Sequence, residues 1–263
     1  MTEYTPMMQH YLKTHEEYKD CILFYRLGDF YEMFFDDAKV VSKELELTLT
    51  GKSCGAEERA PMCGIPYHAA ETYLTRLVKK GYKVAICEQV EDPKLAKGMV
   101  KREVTRVVTP GTTLNAQALD ETKNNYIMCI AYIGDHYGIS SADITTGDYY
   151  VTEVDSERKL LDEVNKYQPT EIICNEAFYI SGIDIDDMKN RMGIVIYSLD
   201  AWYFSDETAQ MTLKDHFKVR DLEGLGLADY DCGIIKIPLR DTENNPFQSG
   251  GNSSVYHRKI HDY

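Results

Sequence analysis

Apolar residues recur along the first part of the chain at spacings that predict a mixed sheet covered by helices. Helices are predicted over residues 5–17, from Asp36 onward and over 69–80; strands are predicted over 22–27, 82–90 and 103–109. Residues 51–66 hold several Gly and Pro and predict a long irregular loop. The pattern therefore favours a first domain of the α+β kind.

The second part of the chain has a different order of elements. Strands are predicted over 126–133, 137–144 and 148–154, then a helix over 156–167, strands over 171–174 and 193–197, and a helix over 206–217. Gly134-Asp135 and Thr146-Gly147 mark tight turns, so the first strands should form an antiparallel meander. A meander followed by alternating helix and strand is the order of a ribonuclease-H-like α/β domain.

Composition shifts along the chain predict where domains begin and end. We expect a first domain over residues 1–114, a polar linker over 115–125 and a second domain over 126–235. Residues 236–263 are polar, hold Pro and Gly and show no helical period, so this tail is expected to be disordered.

The overall composition is that of an ordinary soluble protein. The 263 residues are 43% hydrophobic and 27% charged, and neither a membrane-spanning run nor a signal-peptide pattern is present, so a cytoplasmic location is expected. Seven cysteines without Cys-x-x-Cys spacing favour reduced, buried thiols over a disulfide framework or zinc, and no metal site is predicted.

The net charge of −14 is unevenly distributed. Residues 1–115 hold 16 Lys and Arg against 17 Asp and Glu, whereas residues 116–263 hold 13 against 26. Only the first part can approach phosphate groups without a large repulsion. A basic stripe within it could position phosphates or simply be solvated; its residues are Lys94, Lys97, Lys101, Arg102 and Arg106.

The segment between the first strand and the helix at Asp36 is predicted to be extended. Side chains alternate in such a segment, so Phe30, Glu32 and Phe34 should share one face, and the opposite face should hold Tyr31, Met33 and Phe35. Core packing is the ordinary interpretation of such aromatics, but an unpaired carboxylate in a core is costly. An aromatic ring and an acid are thus expected to project side by side.

Several motifs in the first part occur together in one order. They are Phe-Tyr-Arg-Leu-Gly-Asp-Phe-Tyr-Glu at 24–32, Gly-Ile-Pro-Tyr-His at 64–68, Cys-Glu-Gln at 87–89 and Val-Thr-Pro-Gly-Thr at 108–112. In order and spacing the chain resembles the bacterial MutS family of DNA mismatch repair proteins, over its mismatch-recognition and connector domains. The resemblance implies that Phe30 and Glu32 recognise mismatches.

The resemblance also implies partners and activities of the whole family: binding to mismatched or looped duplex DNA, dimerisation, an ATP-driven clamp and recruitment of MutL. The chain is expected to stop before the core, clamp and ATPase domains, so ATP and Mg²⁺ are expected only there and no enzyme activity or cofactor is predicted here. Gly51-Lys52-Ser53 is rejected as a P-loop because position 46, where that motif needs Gly, is Glu.

An aromatic side chain pushed between base steps acts as a wedge that costs least where base pairing is already defective. Phe30 is the predicted wedge, and Glu32 beside it could accept a hydrogen bond from a displaced base. Charge and position suggest DNA-backbone contacts for Arg59, Tyr67, His68, Lys97, Arg102 and Arg106. Tyr67 and His68 could instead only fix the loop that enters the next helix.

Two alternatives stay open from the sequence. The chain could be a truncated product whose connector domain binds a MutL-like protein without binding DNA itself. It could also be a metal-dependent nuclease, because Asp143 ends a strand in a ribonuclease-H-like order and Asp148 lies close by. Fold alone does not decide between them.

Overall fold

The computed structural model describes residues 4–55, 58–91, 98–113 and 123–223, apart from the side chain of His216. The chain divides into two compact units, residues 1–118 and 119–263. The predicted tail, 236–263, lies outside the described residues, as does most of the predicted linker, 115–125. The predicted domain limits therefore stay predictions.

Unit 1 is a six-stranded mixed sheet with helices on both faces. Its elements are α1 Pro6–Glu17, β1 Ile22–Leu27, β2 Phe30–Phe34, α2 Phe35–Leu45, β3 Thr50–Lys52, β4 Ala60–Pro66, α3 Ala70–Lys79, β5 Val84–Gln89 and β6 Arg102–Val108. The strand order is β3-β4-β2-β1-β5-β6, with β1 and β5 parallel and the other neighbours antiparallel. The α/β class with a mixed sheet is confirmed.

The side chains of β2 alternate between two cores. Tyr31 and Met33 pack with α2 and α3 on one face, while Phe34 packs with α1 on the other. The predicted alternation is wrong only for Phe35, which packs on the α1 side. The reason is local: the strand ends at Phe34, and Phe35 begins α2 with a φ of 53°.

The predicted loop over 51–66 is in large part an antiparallel hairpin of β3 and β4. Proline cannot donate to a ladder, which argued against strands here. In the structure Pro61 and Pro66 lie close to the two ends of β4, and the outer strand β3 has three residues, so few ladder bonds are lost. The hairpin continues the sheet beyond β2.

Unit 2 is a five-stranded sheet in the order β11-β10-β7-β8-β9. Its elements are β7 Tyr126–Ile133, β8 His136–Asp143, β9 Asp148–Val154, α4 Glu157–Tyr167, β10 Glu171–Asn175, α5 Ile185–Arg191, β11 Val195–Leu199 and α6 Asp206–Phe217. The first strands form the predicted meander, and β10 and β11 run parallel to β7. The ribonuclease-H-like order is confirmed; α5 was not predicted.

Helices cover both faces of the second sheet. Leu160 and Val164 of α4 pack with Met188 of α5 on one face, and Leu213 of α6 packs on the other. In the described ranges no helix has the length and apolar character that a bilayer crossing requires. The six cysteines in those ranges are buried and do not form disulfide bonds.

Candidate nucleic-acid interface

Phe30 projects from the end of the unit 1 sheet. It is the first residue of β2, opposite Leu27 of β1 and Pro66 of β4. Gly28 makes the preceding turn with a φ of 58°, which glycine adopts without strain. The phenylalanine is 47% exposed, although its neighbour Tyr31 is buried. An aromatic ring thus stands in solvent on a rigid strand.

Glu32 shares the face of Phe30 and is paired. Its Oε2 accepts a hydrogen bond from Nζ of Lys52 on β3 at 2.5 Å. The glutamate side chain is 15% exposed and the lysine side chain 34%. The lysine ammonium also lies 5.8 Å from the centroid of the Phe34 ring. The ion pair removes the cost that an unpaired carboxylate would have there.

Gly64 leaves space beside the ring and the acid. It lies opposite Glu32 in the register of β2 and β4. A Cβ at this position would lie 3.6 Å from Cγ of Glu32 and 4.0 Å from Cδ1 of Phe30. A side chain larger than alanine there would therefore fill the gap between the two groups.

The turn between β1 and β2 is held by the end of β4. The Tyr67 N–H donates to the Asp29 carbonyl at 2.9 Å, and the Arg26 guanidinium lies 3.7 Å from the centroid of the Tyr67 ring. Tyr67 is 45% exposed, and its ring meets that of His68 edge to face. The two predicted contact residues are thus exposed, and Tyr67 also holds the turn that carries Phe30.

Helix α1 supports the strand behind Phe30. The Phe34 N–H donates to the Tyr11 hydroxyl at 3.2 Å, and the Tyr25 hydroxyl lies 2.9 Å from Nδ1 of His10. Burial raises the pKa of Tyr25 to about 12, and burial together with the positive charge of Arg102 lowers the pKa of His10. Both groups are therefore favoured in their neutral forms, and the strand is anchored by hydrogen bonds.

Two of the predicted phosphate-contact residues are exposed arginines. Arg59 donates to the Gly51 carbonyl, and Arg106 pairs with Glu71 of α3. The Arg106 side chain is 49% exposed. Surface pairs of this kind stabilise a fold by only about 0–1 kcal/mol, so phosphate can compete for the guanidinium. Lys97, like Lys94, lies outside the described residues.

The expectation that Arg102 contacts phosphate is wrong for this structure. Arg102 is 7% exposed. Its Nε donates to the Arg26 carbonyl and its Nη1 to the Val100 carbonyl, each at 2.7 Å. A run of positive charges in sequence predicted a solvent-facing stripe, but Arg102 lies on the sheet and holds backbone carbonyls instead.

Sequence reasoning missed Lys52 and Gly64 as parts of this site. Lys52 was considered only as part of a false P-loop, and its partner is twenty residues away on a strand that is not its neighbour. No local pattern signals that pairing. Gly64 was noted in a motif, but its role depends on the register with β2.

The acids considered for a nuclease in unit 2 have structural partners. Asp143 is fully buried, and its carboxylate accepts hydrogen bonds from the Asn125 N–H at 3.0 Å and the Thr145 N–H at 2.8 Å. Asp148 lies opposite it across β8 and β9. In the parts of the chain that the structure describes, no group of three or more His, Cys, Asp or Glu could hold a metal ion. The geometry favours a turn-capping role for Asp143.

Comparison with family models gives two matches in chain order. Residues 5–117 match MutS domain I, and residues 125–243 match MutS domain II. The solved structure of T. thermophilus RuvC with a Holliday junction substrate matches 37% of this chain and 81% of that chain, with a TM-score of 0.28 and 10% identity. A likeness this low supports no conclusion about either unit.

Two similar proteins are both named DNA mismatch repair protein MutS. That of Lachnoclostridium phytofermentans is 66% identical over 234 residues, 89% of this chain and 25% of the relative. That of Caldanaerobacter subterraneus subsp. tengcongensis is 56% identical over 256 residues, 96% of this chain and 30% of the relative. The chain spans about a quarter of the length of the relatives it matches.

Proposed function

Since this chain belongs to the MutS family of DNA mismatch repair proteins, we propose that its first unit binds mismatched or looped duplex DNA through Phe30. The observation that carries the proposal is the exposure of this ring, 47%, at the end of an otherwise packed strand. A ring in that position can enter a base step without unfolding the protein.

The wedge discriminates by the deformability of DNA. Parting two stacked base pairs costs a few kcal/mol, and the cost is smaller where a base is mispaired or looped out. A protein that grips the backbone and tests each step with Phe30 rests longest where the duplex yields. No particular base sequence is needed for this selection.

The backbone grip is assigned to exposed groups of unit 1. Arg59 and Arg106 offer guanidinium groups, and Tyr67 and His68 are exposed beside the turn that carries Phe30. Contacts of this kind position a protein on DNA without reading sequence. Glu32 lies beside the wedge, where it can accept a hydrogen bond from a displaced base.

Unit 2 is assigned a second role, as a surface for another protein of the repair system such as a MutL-like partner. Two exposed apolar side chains support it: Ile180 is 84% exposed and Trp202 56%. The charge of the second part, 13 Lys and Arg against 26 Asp and Glu, disfavours contact with DNA. Retention of a MutL-like protein by the chain, lost on Trp202→Ala, would support this role.

ATP-driven movement, dimerisation and any enzymatic step are not part of this proposal. The family models that match this chain are domains I and II, and neither cofactor nor metal is assigned to them here. The proposed activity of the present chain is binding alone.

The test is a low-salt titration of two duplexes that differ by a single mispair. Base–aromatic stacking contributes about 1–3 kcal/mol, so Phe30→Ala should reduce the preference for the mispaired duplex by a factor of about 5 to 150. Leu49→Ala is the matched control, because Leu49 is also 47% exposed and directly precedes β3, which is separated from β2 by β4. Equal preference in wild type and Phe30→Ala would contradict the proposal.

A further inference from the structure

We infer that Lys52 is a positioning residue for Glu32: it holds the carboxylate beside Phe30 and offsets its charge until a DNA base supplies a hydrogen-bond donor. The inference rests on the proposed function and adds to it a residue that sets specificity. Its basis is the ion pair between Lys52 Nζ and Glu32 Oε2, 2.5 Å apart.

The sheet is built so that this pair can form. Lys52 lies on β3 and Glu32 on β2, with β4 between them. Lys52 is opposite Ala60 of β4, and Glu32 is opposite Gly64 of the same strand. Both of these β4 residues are small. Met62 lies between them on the same face, opposite Phe34, and the lysine ammonium lies 5.8 Å from the centroid of the Phe34 ring.

The environment strengthens the pair beyond that of a surface contact. The Glu32 side chain is 15% exposed, the ammonium of Lys52 lies 5.8 Å from the Phe34 ring centroid, and both groups are thus partly shielded from water. Coulomb attraction increases as the local dielectric falls. Within the described ranges, Glu32 forms an ion pair with no cation other than Lys52.

Pairing changes what the acid does to DNA. A free carboxylate beside the wedge would repel every duplex, matched or mismatched, because DNA carries phosphate charge along its whole length. With Lys52 in place the pair is neutral and Glu32 is fixed in direction. A displaced base can then donate its Watson–Crick-edge N–H to the carboxylate, whereas in a paired base that N–H is already bonded to the partner base.

A double-mutant cycle tests this coupling, using the full chain and the two duplexes of the proposed-function titration. Lys52→Met should weaken binding to both duplexes and lower the preference for the mispaired one by about threefold or more. In the Glu32→Gln background, Lys52→Met should have little effect on the preference for the mispaired duplex, because position 32 then has no carboxylate for Lys52 to hold. Lys52→Arg, which keeps the charge and a donor, should restore most of the preference.

Lys39→Met is the matched control for the loss of one positive charge. Lys39 lies on α2, which packs on the opposite face of the sheet, and its side chain is 58% exposed. Its removal should leave the preference unchanged. Circular dichroism checks folding, and Lys52→Gln serves as the second variant if Lys52→Met unfolds.

The outcomes separate the inference from the proposed function. Equal losses from Lys52→Met with and without Glu32 would show that Lys52 contacts phosphate independently, and would overturn the inference while the wedge stands. A wild-type chain with no preference for the mispaired duplex would overturn the proposed function and the role of Lys52 with it.

Discussion

At the scale of single residues, the site depends on what surrounds Phe30 more than on the ring itself. Glu32 is held by Lys52, and Gly64 leaves the space beside both groups open. Phe30 and Glu32 could be selected from the sequence because alternation along a strand is local. Lys52 could not, because its pairing depends on the order of β3, β4 and β2.

Gly64 gives a prediction about that space. Gly64→Ala should be tolerated, because its Cβ would meet the Tyr31 carbonyl oxygen at 3.4 Å, an ordinary contact. Gly64→Val places methyl groups between Phe30 and Glu32, and should lower the preference for a mispaired duplex by about tenfold, equivalent to ~1.4 kcal/mol. Titration of both variants with matched and mispaired duplexes checks this. An unchanged preference in the valine variant would show that the space is not used.

Arg102 gives a second prediction, of stability rather than binding. Arg102→Met removes two hydrogen bonds from a charged donor to backbone carbonyls, and should lower the free energy of unfolding by about 2 kcal/mol. Arg106→Met, at an exposed ion pair, should cost less than ~1 kcal/mol. Urea denaturation compares the two variants. A smaller loss for Arg102→Met than for Arg106→Met would contradict the structural role.

At the scale of elements, β2 is fixed between two cores, and the helix on the Phe30 side is α1. The tyrosine hydroxyl of Tyr11 meets the Phe34 N–H, and Asp37 accepts the Leu23 N–H at 2.8 Å. The first bond holds β2, from which the wedge projects, and the second joins α2 to β1, the neighbour of β2. If β2 were loosely held, the strand would move before the stacked base pairs separated.

This support has a pH dependence to which His10 contributes. Its pKa is lowered from 6.5 in the folded chain by burial and by Arg102, so the unfolded chain takes up the proton first as pH falls. The contribution of His10 to stability is therefore complete above pH 6.5 and is lost as pH falls from 6.5 through the folded pKa. Denaturant titrations at neutral and mildly acidic pH should show this loss.

His10→Gln is the comparison that isolates the effect. The amide does not titrate, so the variant should lose less stability between the two pH values than the wild type does. Burial raises the pKa of Asp37, which acts in the opposite direction and is present in both proteins. An identical loss in both would assign the pH dependence to other groups.

The elements that sequence reasoning found and missed differ in a physical way. The strand at Ile22–Leu27 is a nearly continuous apolar run and the helix at Ala70–Lys79 has a helical period of apolar residues, and both were predicted. The β3–β4 hairpin was predicted as a loop because Gly and Pro dominate its local propensity. Its strands are stabilised by pairing with β2, which is tertiary information.

At the scale of the whole molecule, charge is separated between the two parts of the chain. Residues 1–115 are nearly neutral, with 16 Lys and Arg against 17 Asp and Glu, and residues 116–263 are strongly acidic, with 13 against 26. The grip on phosphate is therefore expected to be weak and to depend steeply on salt. Selection in such a chain must come from the wedge rather than from tight binding.

The most direct measurement of that claim is the fluorescence of 2-aminopurine placed beside a mispair. Its emission rises when the base loses its stacking partner, so saturation with the wild-type chain at low salt should increase it. Phe30→Ala should bind with little increase, while Leu49→Ala should behave as the wild type does. An equal increase with wild type and Phe30→Ala would contradict the account, because another group would then be opening the duplex.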